Sequence, residues 1–453
     1  MPSVSIFANS MAEIRKNVRN AKGNYAFIWK YQRILLYLPN KKMKRKKIIF
    51  FALLFFLLLL AVWNNYSDSH NNLSGSRVVV CMPVYGQSLA LGEEAERLTD
   101  FSKLRKDYGG RIVTQRMDYN FGYFDLSSTK EWIKRMVHYR RRSNELSIYS
   151  MAQSLVSELG EDTLICIFPG GRGATMIGHL DRNSDAYQKF INDIRIAYES
   201  AKKRNWQFYV PAICWMQGES DITEYAQYDY KQKLCQWRKD IEGDIRSITG
   251  QNQPVRMICY QPNAVTRADG FSENSYECRE ITVPQTFVEL LRGDTMFVSS
   301  GPTYPYDFVR EAIHIDGSGQ QAIGALAAAS ALKVIRKTKP YCGLIPLSVF
   351  ADGSQVRMSF NVSDPPLQLD TVSVRKADCY GFSVVTPSGK NIAQEVSLSD
   401  SVVVVTCSQP VSGCKVRYAV NGINGKSGRL HGPRGNLRDS QNHWCYQFEE
   451  IIR

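Results

Sequence analysis

The stretch "RVVVCMPVYGQSLALG", Arg77 to Gly92, decides how the rest of the chain is read. Arg77–Pro83 is a short apolar run rich in β-branched Val. It is too short for an ordinary helix and reads as a buried strand. "VYGQSLALG", Val84 to Gly92, follows and puts Ser88 two residues beyond Gly86. In open α/β sheets, working residues gather at the carboxyl ends of strands. A serine there either closes the strand as a polar residue or is a nucleophile held on a tight turn. Residues distant in sequence decide between the two.

Further apolar, strand-like runs occupy Thr163–Phe168, Gln207–Trp215, Val255–Tyr260 and Thr295–Ser299. Segments of helical period lie at Ile148–Leu159, Ala186–Lys203, Tyr225–Ile248, Pro284–Leu291 and Gly319–Arg336. Alternation of this kind predicts an α/β fold around a five-stranded, mostly parallel sheet, within residues 77–340. After "KTKPY" the pattern changes. Val, Ser and Thr alternate with polar residues in "EVSLSDSVVVVTC", so 341–453 reads as a small β-sandwich-like domain. No repeat with a period of 20–50 residues is present.

The net charge of +14 suggests a nucleic-acid binder, but its distribution excludes that reading. Residues 1–47 hold twelve Lys/Arg against one acid, Glu13, and so carry +11 of the total. The remainder is nearly neutral. Behind "KKMKRKK" come sixteen uncharged apolar residues, Ile48 to Trp63. That is close to a signal-peptide core and slightly short of the roughly 17–25 residues of a membrane-spanning helix. The expectation is a signal-anchor helix, or a cleaved signal peptide starting at Met43. The basic cluster stays inside and 64 onward lies outside the cytoplasm, periplasmic or extracellular. Residues 1–47 are then a basic cytoplasmic tail and 64–76 a polar linker.

Among the eleven cysteines, Cys81, Cys166, Cys214 and Cys259 sit in strand-like runs and read as buried thiols. Cys407 and Cys414 flank a turn and are positioned to bridge in an oxidising compartment. No C-x-x-C pair suggests a metal site, and the chemistry below needs no cofactor.

A serine nucleophile needs a base and an oxyanion donor. Of six histidines, His314 stands out, in "EAIHIDGSGQQAIG" ahead of the last helix. Glu311, three residues earlier, is spaced to come round a turn to its imidazole; Asp307 and Asp316 are competing orienters. The order Ser88, Glu311, His314 is not the α/β-hydrolase pattern, since the elbow reads "GQSLA" rather than G-x-S-x-G. A second polar cluster, "WMQGESD", Trp215 to Asp221, ends the third strand. Its Gln217 is an amide suited to donate to an oxyanion. Glu219 and Asp221 either orient loop backbone or bind sugar hydroxyls, and an ordinary helix-capping turn is the alternative.

Together "GQSLALG", "GGRGATMIG", "WMQGESD" and "IHIDGSGQQAIG" resemble the successive blocks of the SGNH-hydrolase superfamily. They are most similar to its sialate O-acetylesterase-like and acetylxylan-esterase branch, carbohydrate esterase family six. The resemblance spans about residues 77–336 and implies a three-layer α/β/α sandwich. It makes Ser88 the nucleophile, His314 the base, Glu311 the triad acid, and Gln217 an oxyanion donor beside the Ser88 N–H. Gln87, Gly171, Arg172, Trp215, Glu219 and Asp221 become candidate substrate contacts. The second oxyanion position has no clear match, with Ser150 a weak candidate. Leu89 stands where the family has Asn, and Glu311 where it has Asp. The implied substrate is an acetylated carbohydrate, hydrolysed without metal or cofactor. A non-catalytic carbohydrate-binding protein on a decayed esterase fold is the rival.

Overall fold

The computed structural model describes residues 77–117, 144–223, 229–263, 276–277, 281–423 and 425–453. The expected tail 1–47, membrane segment 48–63 and linker 64–76 lie outside them. Among the described residues no helix is long and apolar enough to cross a membrane.

The core is a set of parallel strands: β1 (Val78–Cys81), β2 (Val84–Gly86), β3 (Ile112–Val113), β4 (Thr163–Cys166), β5 (Pro169–Gly171), β6 (Gln207–Tyr209), β7 (Ala212–Met216), β8 (Arg256–Gln261) and β10 (Phe297–Pro302). β9 (Tyr276–Glu277) lies apart and pairs with Asn421–Gly422. The ladders run β3-β4-β1-β6 and β10-β8-β7-β2-β5. The two sets are continuous. β1 leads into β2, β4 into β5 and β6 into β7, and Met82 N–H to Cys166 O (2.9 Å) and Val84 N–H to Phe168 O (3.0 Å) bridge the breaks. Pro83 and Pro211 sit at two of these breaks, where a missing N–H interrupts a ladder. All five expected strand runs are present, and Ile112–Val113 adds an edge strand.

Seven helices are described: α1 (Phe101–Tyr108), α2 (Ser147–Glu158), α3 (Asp185–Lys202), α4 (Glu219–Thr223), α5 (Tyr230–Thr249), α6 (Thr282–Gly293) and α7 (Gly317–Ile335). Four of them, α1, α3, α5 and α7, start on a capping Ser or Asp. Ser184 accepts from Tyr187 N, Asp229 from Gln232 N and Asp316 from Gly319 N. Side chains alternate across the sheet, as a period of two demands. Val79, Cys81, Leu164, Ile213, Trp215 and Met257 pack in a cluster with residues of α3, α5 and α6. Val80, Met82, Ile165, Cys214 and Ile258 pack in another with α2 and α7. A sheet with a helical layer on each face follows.

The β-rich region 341–453 contains an antiparallel four-stranded sheet (346–352, 355–360, 402–407, 393–399) and a three-stranded one (382–385, 415–418, 448–451). It is not hung on a linker. Gly75–Arg453 forms one compact unit, and Phe382, Tyr418 and Phe448 share a hydrophobic cluster with Phe287, Leu290 and Tyr304. Gln261 Nε2 donates to Gln447 O at 2.8 Å, and Gln447 N–H returns a bond to Gln261 Oε1 at 2.7 Å. The expected Cys407–Cys414 bridge is not formed: both thiols are free and donate to carbonyls two residues back, Val405 O and Ser412 O.

Candidate active site

Three strand ends converge at Ser88. Gly86 closes β2 between the ends of β5 and β7. A Cβ on Gly86 would stand 1.9 Å from Met216 O, and one on Gly171 would stand 1.9 Å from Gly86 O. Only glycine permits such an approach at either position. The ladder runs on into the loops, with Gln87 N–H to Met216 O at 3.0 Å and Arg172 N–H to Gly86 O at 3.1 Å. Ser88 then opens a single 3-10 turn, Ser88–Leu91, which Gly92 ends at φ 62°. Glu93 N–H donates to Ser88 O at 3.0 Å. Leu89, the departure from the family's Asn, is buried in the core under α7, and its carbonyl accepts from Gln320 Nε2 at 3.0 Å. It is a packing residue, which is why an apolar side chain suits it.

Three residues beyond the end of that turn, Glu94 meets His314. His314 Nδ1 pairs with Glu94 Oε2 at 2.7 Å, and Arg310 binds the other Glu94 oxygen. With Nδ1–H given to a carboxylate, Nε2 is the ring's acceptor. Glu94 is held below the usual carboxylate range, first by the His314 hydrogen bond and then by the charges of His314 and Arg310, against the opposing effect of partial burial. Glu93 beside it is pushed up by burial. Glu94 is the residue that reading the sequence missed. Its only local signal is the pair of acids, Glu93 and Glu94, directly after "GQSLALG".

The expected partner of His314, Glu311, goes elsewhere. Its carboxylate pairs with His431 Nδ1 at 2.6 Å and Lys426 Nζ at 3.4 Å. Burial pushes Glu311 up, but His431 and Lys426 outweigh it and leave the group below the ordinary range. Arg310 and Glu311 both hold positive φ there, 55° and 53°. The competing orienters are also occupied. Asp307 binds Arg429 Nε at 2.8 Å, and Asp316 caps α7.

The "WMQGESD" block faces inward, which corrects four expectations. Gln217 is fully buried and both its amide protons are used, one on Thr175 O at 3.2 Å and one on Asp221 Oδ2; its oxygen accepts from Tyr230 at 2.8 Å. It has no proton left for an oxyanion. Asp221 also accepts from Ile177 N at 3.0 Å, so Gln217 and Asp221 staple the 172–179 loop to the end of β7. Trp215 is sealed in an aromatic cluster, 4.7 Å from the Trp237 ring. Glu219 is buried on Tyr260 OH at 2.5 Å, and burial pushes its carboxyl up to about 7. All four are fully buried. Ser150 lies on α2 and donates to Gln321 O at 2.8 Å, a helix-to-helix contact.

Gln87 and Arg172 remain. Gln87 is 1% exposed; its Oε1 accepts from Ser220 N at 3.2 Å and Gly218 N at 3.5 Å. That fixes the amide's orientation and leaves Nε2 sealed without a partner. A buried donor without an acceptor is costly, on the order of 1–3 kcal/mol. Arg172 and Gly171 border the Ser88 turn, and the Arg172 side chain is exposed.

Residues 111–260 match the family model described as carbohydrate esterase, sialic acid-specific acetylesterase. The match takes in the glycine-rich loop and the Trp215–Asp221 block, and it stops short of Ser88 and His314. No curated protein matches the chain. Among solved structures, a carbohydrate acetylesterase from Xanthomonas citri is similar over 83% of this chain and 80% of its own, with TM-score 0.54 and 14% identity. A protein from Arabidopsis thaliana is similar over 57% of this chain and 98% of its own, with TM-score 0.40 and 16% identity. NanS is similar over 58% of this chain and 99% of its own, with TM-score 0.38 and 14% identity. The family model matches the part of the chain that holds two of the four sequence blocks, and the likeness to the Xanthomonas citri enzyme is one of fold.

Proposed function

We propose that this chain is a serine esterase that removes acetyl groups from carbohydrate hydroxyls, with O-acetylated sialic acid and acetylated xylan as the leading substrates. The observation that carries the reading is the His314–Glu94 pair, Glu94 lying three residues beyond the Ser88–Leu91 turn. In this reading, Ser88 Oγ attacks the acetyl carbonyl and its proton passes to His314 Nε2. Glu94 stabilises the imidazolium and holds the tautomer. The Ser88 N–H is the donor assigned to the oxyanion; one such donor contributes about 3–4 kcal/mol to lowering a barrier. Collapse of the adduct expels the sugar oxygen, which takes the proton from Nε2. Water, deprotonated by Nε2, then releases acetate and regenerates Ser88. Arg172, exposed beside the turn, suits a carboxylate-bearing sugar such as a sialic acid.

The same proposal places the enzyme outside the cytoplasm, held at the membrane through Ile48–Trp63. The support is the Lys/Arg cluster ahead of that apolar run.

The test is acetate release from p-nitrophenyl acetate, acetylated xylan and O-acetyl sialic acid by wild type and Ser88→Ala. Loss of kcat by about 10⁴-fold or more in a folded variant supports the serine mechanism. Equal rates, or equal inertness with sugar binding retained, overturn it.

A further inference from the structure

His314 sits in a stretch, 306–316, whose described secondary structure is one 3-10 turn, Val309–Glu311, and a single bridge between Phe308 and Ile315. Two consecutive non-glycine residues there hold positive φ, Arg310 and Glu311. Such backbone persists only where its surroundings hold it from more than one side. One side is the segment just after the serine turn, through Arg310 and His314 on Glu94. The other is a short piece of the C-terminal β-rich region. Ser427 N–H donates to Glu311 O at 2.8 Å and Arg429 N–H to Tyr306 O at 3.2 Å. Arg429 Nε reaches Asp307 at 2.8 Å, and His431 Nδ1 pairs with Glu311 at 2.6 Å.

His431 is itself held on its far side, with Nε2 2.6 Å from Arg375 Nη1. An arginine only donates, so Nε2 accepts and Nδ1–H is the donor to Glu311. The chain of bonds runs Arg375, His431, Glu311. Arg310, the next residue back, carries the link on to Glu94 and so to His314.

We propose that residues 426–431 are a positioning element of the catalytic centre: through the Glu311–His431 pair they hold the histidine loop so that His314 meets Glu94, just after the Ser88 turn. The C-terminal region is then part of the active site by support, without touching substrate. This inference rests on the serine-esterase reading above.

The experiment uses the full chain with Glu311→Gln, His431→Ala, their double variant, and Glu311→Asp, which keeps the charge. Far-UV circular dichroism and melting temperature check the fold. Three readouts follow: kcat and KM on p-nitrophenyl acetate, the rate of Ser88 labelling by a fluorophosphonate, and the low-field proton resonance of His314 Nδ1–H. The expected result is kcat lower by about tenfold to a hundredfold in each single variant, with KM unchanged. Labelling slows by the same factor, the resonance broadens or moves, the double variant is no worse than the worse single, and Glu311→Asp recovers most of the loss. If His431→Ala does not fold, Glu311→Gln against Glu311→Asp tests the same link. Folded variants with wild-type kcat, labelling and resonance overturn the inference and leave the esterase reading standing. A change in KM alone overturns it too, since that marks a substrate contact. A wild type that neither hydrolyses nor labels, indistinguishable from Ser88→Ala, removes the reading and the inference together.

Discussion

Ser88 and His314, the proposed nucleophile and base, are held by different physics. Ser88 is 3% exposed, on a turn fastened by backbone bonds between strand ends that only glycines allow to approach. The His314 loop is held by charged side chains. Glu94 is 37% exposed and Glu311 28%, and both belong to pairs open to water. The serine side is therefore insensitive to salt and mild acid and intolerant of added atoms. The histidine side tolerates atoms and responds to charge. The carboxylates differ in sign as well. Burial raises Glu219 behind the serine, whereas hydrogen bonds and neighbouring charges lower Glu94 and Glu311 in the loop.

The sharpest test of this contrast sets two carboxylates against each other. Glu94→Gln keeps shape but leaves the imidazolium unsupported, and steady-state kinetics will show kcat lower by about 10²–10⁴-fold, well beyond the loss in Glu311→Gln. If Glu311→Gln has the larger effect, Glu311 is the orienter during turnover and the arrangement above is wrong.

Next in size is Gly86→Ala. Its Cβ would lie 1.9 Å from Met216 O, a backbone atom that cannot turn aside. Overpacking of this kind costs about 1–3 kcal/mol or more. Urea unfolding will show a lower midpoint together with lost activity; an unchanged midpoint would mean the strand ends are looser than described.

The pH dependence of stability separates the two regions by sign. Glu219, raised to about 7, is protonated in the folded protein where the unfolded chain would already be ionised. Its contribution is fully present below the unfolded value of about 4.3 and is lost as pH rises through 7, on the order of 3 kcal/mol. Glu94 and Glu311 are lowered, so their contribution is present above about 4.3 and disappears as pH falls through their folded values. Glu219→Gln will flatten the decline between pH 5 and 8 in urea-unfolding free energies. A decline that persists in the variant locates its source elsewhere.

Gln217→Leu separates structure from catalysis. It leaves Asp221, Thr175 O and Tyr230 short of partners, at about 1–3 kcal/mol each if none is re-satisfied. The effect will appear in thermal unfolding more than in kcat. A loss of about 10²-fold in kcat with stability intact returns Gln217 to the oxyanion. The smallest effect is that of salt. At 1 M ionic strength the screening length falls to about 3 Å, and exposed pairs contribute about 1 kcal/mol or less, so kcat drops by severalfold at most while the melting temperature stays put.

The strands, the main helices and the chain order of the motif blocks were legible because they depend on local periodicity. Val79 and Cys81 face one layer and Val80 and Met82 the other by alternation alone. The direction in which a polar block faces has no such period. "WMQGESD" ends a strand, and nothing within those residues says that Trp215 meets Trp237 or that Gln217 spends its protons on Asp221 and Thr175. The choice of carboxylate for His314 was further out of reach. Glu311 is three residues away and Glu94 is 220, yet the distant residue makes the bond. The 341–453 region looked like a separate domain because its composition changes at 341. Its side chains nevertheless enter the same core as α6, which composition does not encode.

By itself the sequence determined the layered α/β plan, the strand end that bears Ser88, and the basic apolar N-terminal pattern. These follow from side-chain period and residue type within a few positions. The tertiary structure alone decided which acid pairs with His314, where the Gln217 amide spends its protons, and that the C-terminal region bonds to the histidine loop. Each of those is a contact between residues far apart in the chain, set by where packed elements bring their ends together.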